Sequence, residues 1–464
     1  MNKFRFLISV LIIFIISICF SSCENNIKSN LTSVSDIVSS TNIDNTNSAT
    51  EPLSIQDYTY EVTEDGITIV SYNGKDKNVI IPERIEGQTV TIINGSAFSN
   101  CHEVISITIP SSIIYIEEMA FGSFFYDNVQ YNKNDIDFET TKSLHKYNKI
   151  ESINVDENNL SYKSMDGILF NKDGRELICF PEGKNIKDYT VPEDVVIIGK
   201  SAFNCSLIEN VILPENLITI ESEAFANSRV LKNINIPGTV EEIGSFAFSG
   251  CFNLQSVIIS DGIMEGIREG AFEYCISLKS IILPENLGHI GGDVFYMCTS
   301  LTSIHIPDNV IYLSDASCGD GNIFRYCYSL TNITVGNNNR YFKSIDGVLF
   351  RKDRKELFCF PAGLKKETYI MPENIESTDY FAFSGCTDLK SITFPKSLKF
   401  LCISNIFEGC SNLIEVKFEG DAPKDPLSED WGDGPENPDI KFYFHSDAKY
   451  FSSPLWYGYP TEIW

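Results

Sequence analysis

The sequence lacks the residue patterns that most catalytic and metal sites require. No G-x-S-x-G nucleophile elbow, phosphate-binding glycine loop or dinucleotide-binding fingerprint occurs, and no C-x-x-C pair suggests a zinc site. Histidines are few, and none lies in an H-E-x-x-H helix or another recognised ligand spacing. The five are His102, His145, His289, His305 and His445. These absences predict a protein that is not an enzyme and that needs no cofactor or metal.

Positive charge is also scarce. Lysine and arginine together number 36 against 63 aspartates and glutamates, which gives a formal net charge of −27. Nucleic acid and anionic membrane surfaces would repel such a chain, so we expect no nucleic-acid partner. The hydrophobic fraction of 43% is ample for a folded core.

A long apolar run occurs at the N-terminus. Lys3 and Arg5 precede FLISVLIIFIISICF, which has the length of a secretory signal and is short for a membrane span. Ser21 and Ser22 then lead into Cys23, an arrangement that resembles the bacterial lipobox. The resemblance implies that residues 1–22 are a lipoprotein signal peptide and that a lipid bilayer is reached through acylated Cys23. Simple secretion and an uncleaved anchor are the alternatives.

The segment after the signal has the composition of a tether. Residues 24–54 are rich in serine, threonine and asparagine and show no sustained apolar period. We therefore expect 23–54 to be a lipidated cysteine with a disordered tether, whose reach of roughly 30 Å would hold a folded body just off a membrane.

A short apolar unit recurs through most of the chain and is marked by an alanine-phenylalanine pair. In the central block, Phe203, Phe225, Phe248, Phe272 and Phe295 are 22 to 24 residues apart, within the range of leucine-rich repeats. The pair or a close variant ends at Phe98, Phe121, Phe203, Phe225, Phe248, Phe272, Phe295, Phe324, Phe383 and Phe407.

Each unit predicts a strand followed by a turn or partial helix. In LKNINIPGTVEEIGSFAFSGCFNL (231–254), the alternating Ile234 and Ile236 suit a short strand that Pro237 ends. Neither half could bury its apolar face alone, so successive units must stack on a shared core. The sequence predicts an α/β repeat solenoid over residues 55–464, with short parallel strands.

This repeat resembles the BspA-like class of leucine-rich repeats over roughly residues 58–464. The resemblance implies a secreted or surface-anchored bacterial protein that binds host proteins or mediates adhesion. Residues 58–98 resemble the N-terminal unit of that class, with a hairpin before the first coil, and residues 419–464 resemble its C-terminal cap. The expected function is non-catalytic binding of an unidentified protein or cell-surface ligand. A structural spacer or assembly component of the cell envelope is the alternative.

A longer repeat is superposed on the short one. KSMDGILFNKDGRELICFP (163–181) recurs as KSIDGVLFRKDRKELFCFP (343–361), displaced by 180 residues and identical at 13 of 19 positions. Each copy predicts two strands around a polar turn, so we expect two hairpins inserted into the solenoid.

Fourteen cysteines would suggest disulfides in an exported protein, but their register favours buried free thiols. Residues at one place in stacked coils point the same way from neighbouring coils, and parallel side chains do not bring two Cβ atoms to bonding distance. Small buried hydrophobic residues are the expected role. The predicted thiols are Cys101, Cys205, Cys251, Cys275, Cys298, Cys327, Cys386 and Cys410.

Binding residues are expected outside the strands, whose exposed positions are mostly serine, threonine and asparagine. One candidate group lies in the non-repeating insertion 122–150, because long excursions from a solenoid can vary without disturbing its core. A second recurs beside the cysteine position. The candidates are Phe124, Phe125, Tyr126, Tyr131, Tyr274, Tyr296, Tyr326 and Tyr328. The acidic loop 429–439 leaves calcium binding open, although its spacing does not fit an EF-hand.

Overall fold

The protein is described from a computed structural model. The structure describes residues 55–99, 101–123, 148–262, 264–314, 322–402, 405–424 and 439–464. The expected signal peptide 1–22 and tether 23–54 lie outside these residues, and so does most of the insertion 122–150. No helix among the described residues has both the length and the apolar character needed to cross a membrane.

Most coils contribute one strand of three or four residues to a set of parallel ladders. In Asn233–Ile236 buried and exposed residues alternate, and each of its residues pairs in register with Ser256–Ile259 of the next coil. These strands are Asn78–Ile80, Ser106–Ile109 and Ser152–Val155, then Asp188–Thr190, Asn210–Ile212, Asn233–Ile236, Ser256–Ile259 and Ser280–Ile282, then Ser303–Ile306 and Asn332–Val335, then Thr368–Ile370, Ser391–Phe394, Glu415–Phe418 and Lys441–Phe444.

A second, shorter strand lies in most coils and forms what we call the short-strand sheet. Its members have two residues each, and the second residue is buried. They are Tyr115–Ile116, Ile197–Ile198, Thr219–Ile220, Glu242–Ile243, Gly266–Ile267, His289–Ile290, Tyr312–Leu313 and Ser377–Thr378. Parallel pairing from coil to coil confirms the predicted solenoid of short parallel strands.

The half of each repeat that was expected to be a turn or a partial helix is a turn. The described residues contain one 3-10 helix, Ile55–Asp57, and otherwise strands, turns and irregular segments, so the fold is a β-solenoid and the α part of the predicted class is not confirmed. Left-handed backbone conformations explain the difference. Glu223 precedes Ala224-Phe225 with φ 58°, and Asn227 follows with φ 57°. Two such residues per coil cannot continue a right-handed helix, so the chain turns tightly around the buried alanine-phenylalanine pair.

The repeated phenylalanines form a continuous stack inside the solenoid. Between Phe203 and Phe225 the ring centroids are 4.7 Å apart and the planes differ by 8°, and the stack continues through Phe248 and Phe272 at 5.0 and 5.1 Å. The backbone amide of Phe225 also donates to the carbonyl of Ala247 in the next coil, at 2.7 Å. Ring stacking and this hydrogen bond together fix the distance between coils.

Each duplicated insertion has three strands, where the sequence predicted two. In the first copy Tyr162–Met165 pairs antiparallel with Ile168–Asn171, which pairs antiparallel with Glu176–Cys179. The extra turn is formed by Asp166 and Gly167, with φ of 50° and 76°, and an Asp-Gly pair with positive φ is a strong hairpin signal. The second copy repeats the arrangement with Phe342–Ile345, Val348–Arg351 and Glu356–Cys359.

The insertions lie between segments of the core rather than on the surface. In the first copy Leu169 belongs to the N-terminal hydrophobic cluster, whereas its neighbours Ile168 and Phe170 belong to the central cluster. In the second copy Leu349 belongs to the central cluster and Phe350 to the C-terminal one. Because these strands are buried on both faces, the insertions divide the core into three adjoining clusters.

The two ends of the repeat carry antiparallel strands. Tyr58–Thr63 and Gly66–Tyr72 form the hairpin expected before the first coil, and Arg84–Ile85 and Gln88–Ile93 form a second one. At the other end Leu455–Trp456 pairs antiparallel with Tyr459–Ile463, which lies parallel to Lys441–Phe444. A capping role for 419–464 stays a prediction.

Removing one ring from the stack should destabilise the fold strongly. We expect Phe248→Ala to lower the free energy of unfolding by about 3–5 kcal/mol, since the ring is fully buried and leaves a cavity between two other rings. Urea unfolding followed by circular dichroism measures the change. The control Leu160→Ala removes an exposed side chain and should cost less than about 0.5 kcal/mol. A similar small loss for Phe248→Ala would contradict the importance of the stack.

Candidate binding site

Several sequence candidates lie outside the described residues. They are Cys23, Phe124, Phe125, Tyr126, Tyr131 and positions 429–438 of the acidic loop. Lipid attachment, partner binding by 122–150 and calcium binding by 429–439 therefore stay predictions.

The other four aromatic candidates lie on neighbouring coils and contact one another as a row. The ring centroids of Tyr274 and Tyr296 are 5.3 Å apart, those of Tyr296 and Tyr326 are 5.5 Å apart, and Tyr328 follows at 6.0 Å. We call these four residues the tyrosine row. The recurrence of these tyrosines beside the cysteine position therefore does bring their rings together.

Only part of the tyrosine row offers a binding surface. Tyr326 is 6% exposed, because it lies in the left-handed turn after Phe324 and packs between the neighbouring rings, so its role as a surface candidate is wrong. Tyr328 is 45% exposed. The guanidinium carbon of Arg325 lies 4.6 Å from the ring centre of Tyr296 and 4.5 Å from that of Phe381. This cation-π sandwich holds the row against the following coils.

A partly buried carboxyl group lies beside the row. The Oε1 atom of Glu273 accepts a hydrogen bond of 2.9 Å from the hydroxyl of Ser249. Burial is the main reason that the pKa of Glu273 is raised to about 7, and the nearby Asp293 and Glu269 raise it further. The protonated form is therefore the more stable one in the folded protein at mildly acidic pH.

The exposed face of the longer strands is occupied by small polar side chains that bond to one another. Ser256 Oγ donates to Asn233 Oδ1 at 2.6 Å, and Ser106 Oγ donates to Asn78 Oδ1 at 2.7 Å. Ile258 and Ile282 are exposed on adjacent strands of the same face. Since the polar groups already satisfy one another, this face is better explained as a sheet surface than as a recognition site.

The structure shows a concave site near the C-terminus that the sequence analysis missed. A cavity of about 860 Å³ is lined by Lys396, Leu398, Lys399, Phe400, residues 421–424, Tyr450, Trp456 and Tyr457. Phe400 is 45% exposed and Tyr450 is 81% exposed, and Tyr457 lines the same cavity. We call it the C-terminal cleft. Ligand sites are commonly concave, of this size and lined with aromatic side chains.

Basic side chains surround this cleft, although the chain as a whole is acidic. Lys396, Lys399 and Lys424 line it, with Asp421 as the one acidic residue among the described lining residues. Lys399 binds Glu376 at 2.6 Å, and the hydrogen bonds from Lys355 and Lys399 lower the pKa of Glu376 to about 2. Lys396 and Lys424 also line the cleft, and neither forms an ion pair with another described residue.

A compositional signal for the cleft exists in the sequence. The segment YFSSPLWYGYP (450–460) is outside the repeat and contains five aromatic residues. Sequence reasoning assigned it to a cap, and nothing in the repeat register indicates that Tyr450 and Phe400 would line the same cavity.

The predicted thiols have a common environment. All eight are buried, and the eleven cysteines that the structure describes are free. Cys251, Cys275 and Cys298 donate from Sγ to the carbonyl oxygens of Phe225, Phe248 and Phe272 at 3.1 to 3.2 Å. Cys101, Cys327, Cys386 and Cys410 make the equivalent bond in their coils.

The cysteine position therefore supplies a hydrogen-bond donor as well as a small apolar group. Ser228 occupies the same place in its coil and donates to the carbonyl of Phe203 at 2.7 Å. Cys205 lies one residue earlier, at a left-handed position, and donates to Asn204 Oδ1 instead. Burial raises the pKa of the Cys101 thiol to about 12 and that of the Cys275 thiol well above its usual value. Such thiols are unreactive at neutral pH.

Within the part of the chain that the structure describes, no three histidine, cysteine, aspartate or glutamate side chains converge in a way that could hold a metal ion.

A profile described as "BspA type Leucine rich repeat region" matches six copies in this chain, over residues 71–172, 175–254, 218–355 and 354–424. The chain belongs to the BspA-type leucine-rich-repeat family. Its stacked coils are the repeats of that family, interrupted by the two insertions. No curated protein matches the chain.

Three solved structures illustrate the similarity. A leucine rich cell surface protein from Faecalibacterium prausnitzii is 19% identical, with 81% of this chain and 96% of that chain covered and a TM-score of 0.43. A leucine-rich repeat protein from Bacteroides ovatus is 22% identical over 85% and 99% of the two chains, with a TM-score of 0.42. The pneumococcal vaccine antigen PcpA is 17% identical over 84% and 94%, with a TM-score of 0.35.

Substitutions at Cys298 should separate its two roles. Cys298→Ser keeps a donor for the carbonyl of Phe272, as Ser228 does naturally in its coil, whereas Cys298→Ala removes the bond from the next coil and leaves that oxygen only the amide of Cys275, at 3.2 Å. We expect the alanine variant to be less stable than the serine variant by about 1 kcal/mol or more, measured by urea unfolding. Equal stabilities of the alanine and serine variants would show that the thiol acts only as a small apolar group.

Glu273→Gln should change how stability depends on pH. Because the pKa of Glu273 is raised in the folded protein from 4.5 to about 7, its proton favours the folded state below pH 4.5, and that contribution is lost as pH rises from 4.5 to 7. The variant should therefore gain stability relative to the native protein between pH 4 and pH 8, as measured by thermal unfolding. The exposed Glu285→Gln is the matched control, and a pH-independent difference for Glu273→Gln would contradict the assignment.

Proposed function

We propose that this protein is a non-catalytic surface-binding protein that is anchored to a bacterial membrane through Cys23 and mediates adhesion. Its partner is a protein or other ligand on a cell surface, and the C-terminal cleft is the site that receives it. Family membership supports a role in protein interaction, and the tether 23–54 would hold the solenoid away from the membrane.

The observation that carries the proposal is the composition of the C-terminal cleft. Exposed aromatic rings supply contact area at little entropic cost, and Tyr residues are enriched at binding hot spots. Lys396 and Lys424 place positive charge at the same cavity in a chain whose formal charge is −27. A partner with an acidic, partly apolar surface fits both features, because the rest of the molecule repels it and the cleft attracts it.

Paired substitutions test the site. We expect Phe400→Ala with Tyr450→Ala, and separately Lys396→Glu with Lys424→Glu, to weaken binding at least about tenfold in a solid-phase assay against immobilised host extracellular-matrix proteins. The charge-reversal control is Lys279→Glu, at an exposed lysine that is distant in sequence from the residues of the cleft. Binding should also weaken between 50 and 300 mM salt, since the lysines are exposed.

The alternative is a spacer or assembly component of the cell envelope. Such a protein would show no saturable ligand, would associate with itself in sedimentation experiments, and would be insensitive to both pairs of cleft substitutions. Metabolic labelling with a fatty acid tests the anchor separately: Cys23→Ala should lose the label and be released into the medium.

A further inference from the structure

The short-strand sheet is interrupted at each of the two insertions. In the described residues, the first interruption lies between Tyr115–Ile116 and Glu176–Cys179, where the parallel pairing resumes. The second lies between Tyr312–Leu313 and Glu356–Cys359. We call these interruptions the first gap and the second gap. The insertion side of each gap is duplicated, because the insertions are displaced copies.

An arginine side chain closes the second gap. Nη2 of Arg351 donates to the carbonyl of Leu313 at 2.9 Å. Its guanidinium lies 3.6 Å from carboxylate oxygens of both Glu356 and Asp379, and its carbon is 4.6 Å from the ring centre of Phe358. The second gap is therefore a built guanidinium site, with two carboxylates, a carbonyl and an aromatic face, and the chain supplies its own occupant.

The first gap keeps one of these two carboxylates, as Glu176, and has no arginine. The hydroxyl of Tyr162 lies there instead and accepts a hydrogen bond of 2.9 Å from the amide of Ile116. At a displacement of 180 residues, Asn171 stands in place of Arg351, Gly199 in place of Asp379, and Ile178 in place of Phe358. Each replacement is smaller, and together they leave a cavity of about 360 Å³. Glu176, the counterpart of Glu356, still lines it.

The cavity carries a strong excess of carboxyl groups. Its described lining includes Glu117, Glu118, Glu176, Glu182 and Glu221, against one cation, Lys200. Lys200 binds Glu118 on the exposed rim at 2.5 Å. Glu176 forms no ion pair with another described residue, and its pKa is raised by burial and by nearby Glu221 and Asp173. The exposed Tyr115 and Glu118 at the rim open the cavity to solvent.

We propose that the first gap binds the guanidinium group of an arginine side chain of a peptide or protein partner, in the place that Arg351 takes in the second gap. The cavity is wide enough for a whole side chain, and its carboxylates do not converge as the ligands of a metal ion do. A planar guanidinium can pair with several separated carboxylates at once, which a compact ammonium does less well.

Titration of the full chain with N-acetyl-L-arginine amide tests this site by calorimetry. We expect saturable binding of the arginine compound and none of N-acetyl-L-citrulline amide, which has the same shape without the charge. The corresponding lysine compound should bind more weakly. Equal binding of the arginine and citrulline compounds, or no binding of either, would overturn the proposal.

Two variants locate the binding in the first gap. Asn171→Arg should place a guanidinium in the cavity, as in the second gap, and so block the ligand, while Glu176→Gln should weaken binding about tenfold or more by removing one carboxylate. Glu285→Gln removes an exposed carboxylate elsewhere and should bind as the native protein does. Thermal unfolding confirms that each variant is folded. Native affinity in both gap variants would contradict the proposal, and neither variant changes the C-terminal cleft.

Discussion

The coil-to-coil stack of phenylalanine rings is the constraint on which the rest of this structure depends. From Phe203 to Phe324 each ring lies against the ring of the next coil, and most of these phenylalanine amides bond to a carbonyl one coil further along. This double contact fixes both the distance and the rotation between coils. Every other repeated position must then stack as well, which is why the thiols, the strand residues and the tyrosine row all form lines of neighbouring groups.

Regularity of this kind leaves little freedom for function inside the repeats. A polar group that recurs from coil to coil finds its partner in a neighbouring coil, as Ser256 does with Asn233 and as Cys275 does with the carbonyl of Phe248. Unsatisfied charge and open space occur where the pattern is broken. The first gap lies at an insertion, and the C-terminal cleft lies where the repeat gives way to a non-repeating segment.

The repeat itself could be predicted from the sequence, because its signals are local. The 22-to-24-residue period, the alternating isoleucines and the alanine-phenylalanine pair each indicate which nearby residues are buried. The sequence left open whether a turn or a partial helix follows each strand, because the signal for the turn is weak: Glu223, Phe246 and Tyr274 adopt left-handed conformations that these residue types rarely favour. Only the repeated contacts of the surrounding coils hold them there.

The sequence by itself determined the family, the burial pattern and the duplicated insertions, since each of them follows from residues that recur at a regular spacing along the chain. Tertiary structure decided which irregular residues meet. Arg351 reaches the carbonyl of Leu313, 38 positions earlier, and Tyr450 and Phe400 line the same cavity. The sequence around each of these residues does not predict such arrangements, because the free energy that stabilises them comes from the stacked coils between the distant segments. The sites that distinguish this protein therefore arise from packing between distant segments, on a scaffold that the sequence pattern specifies.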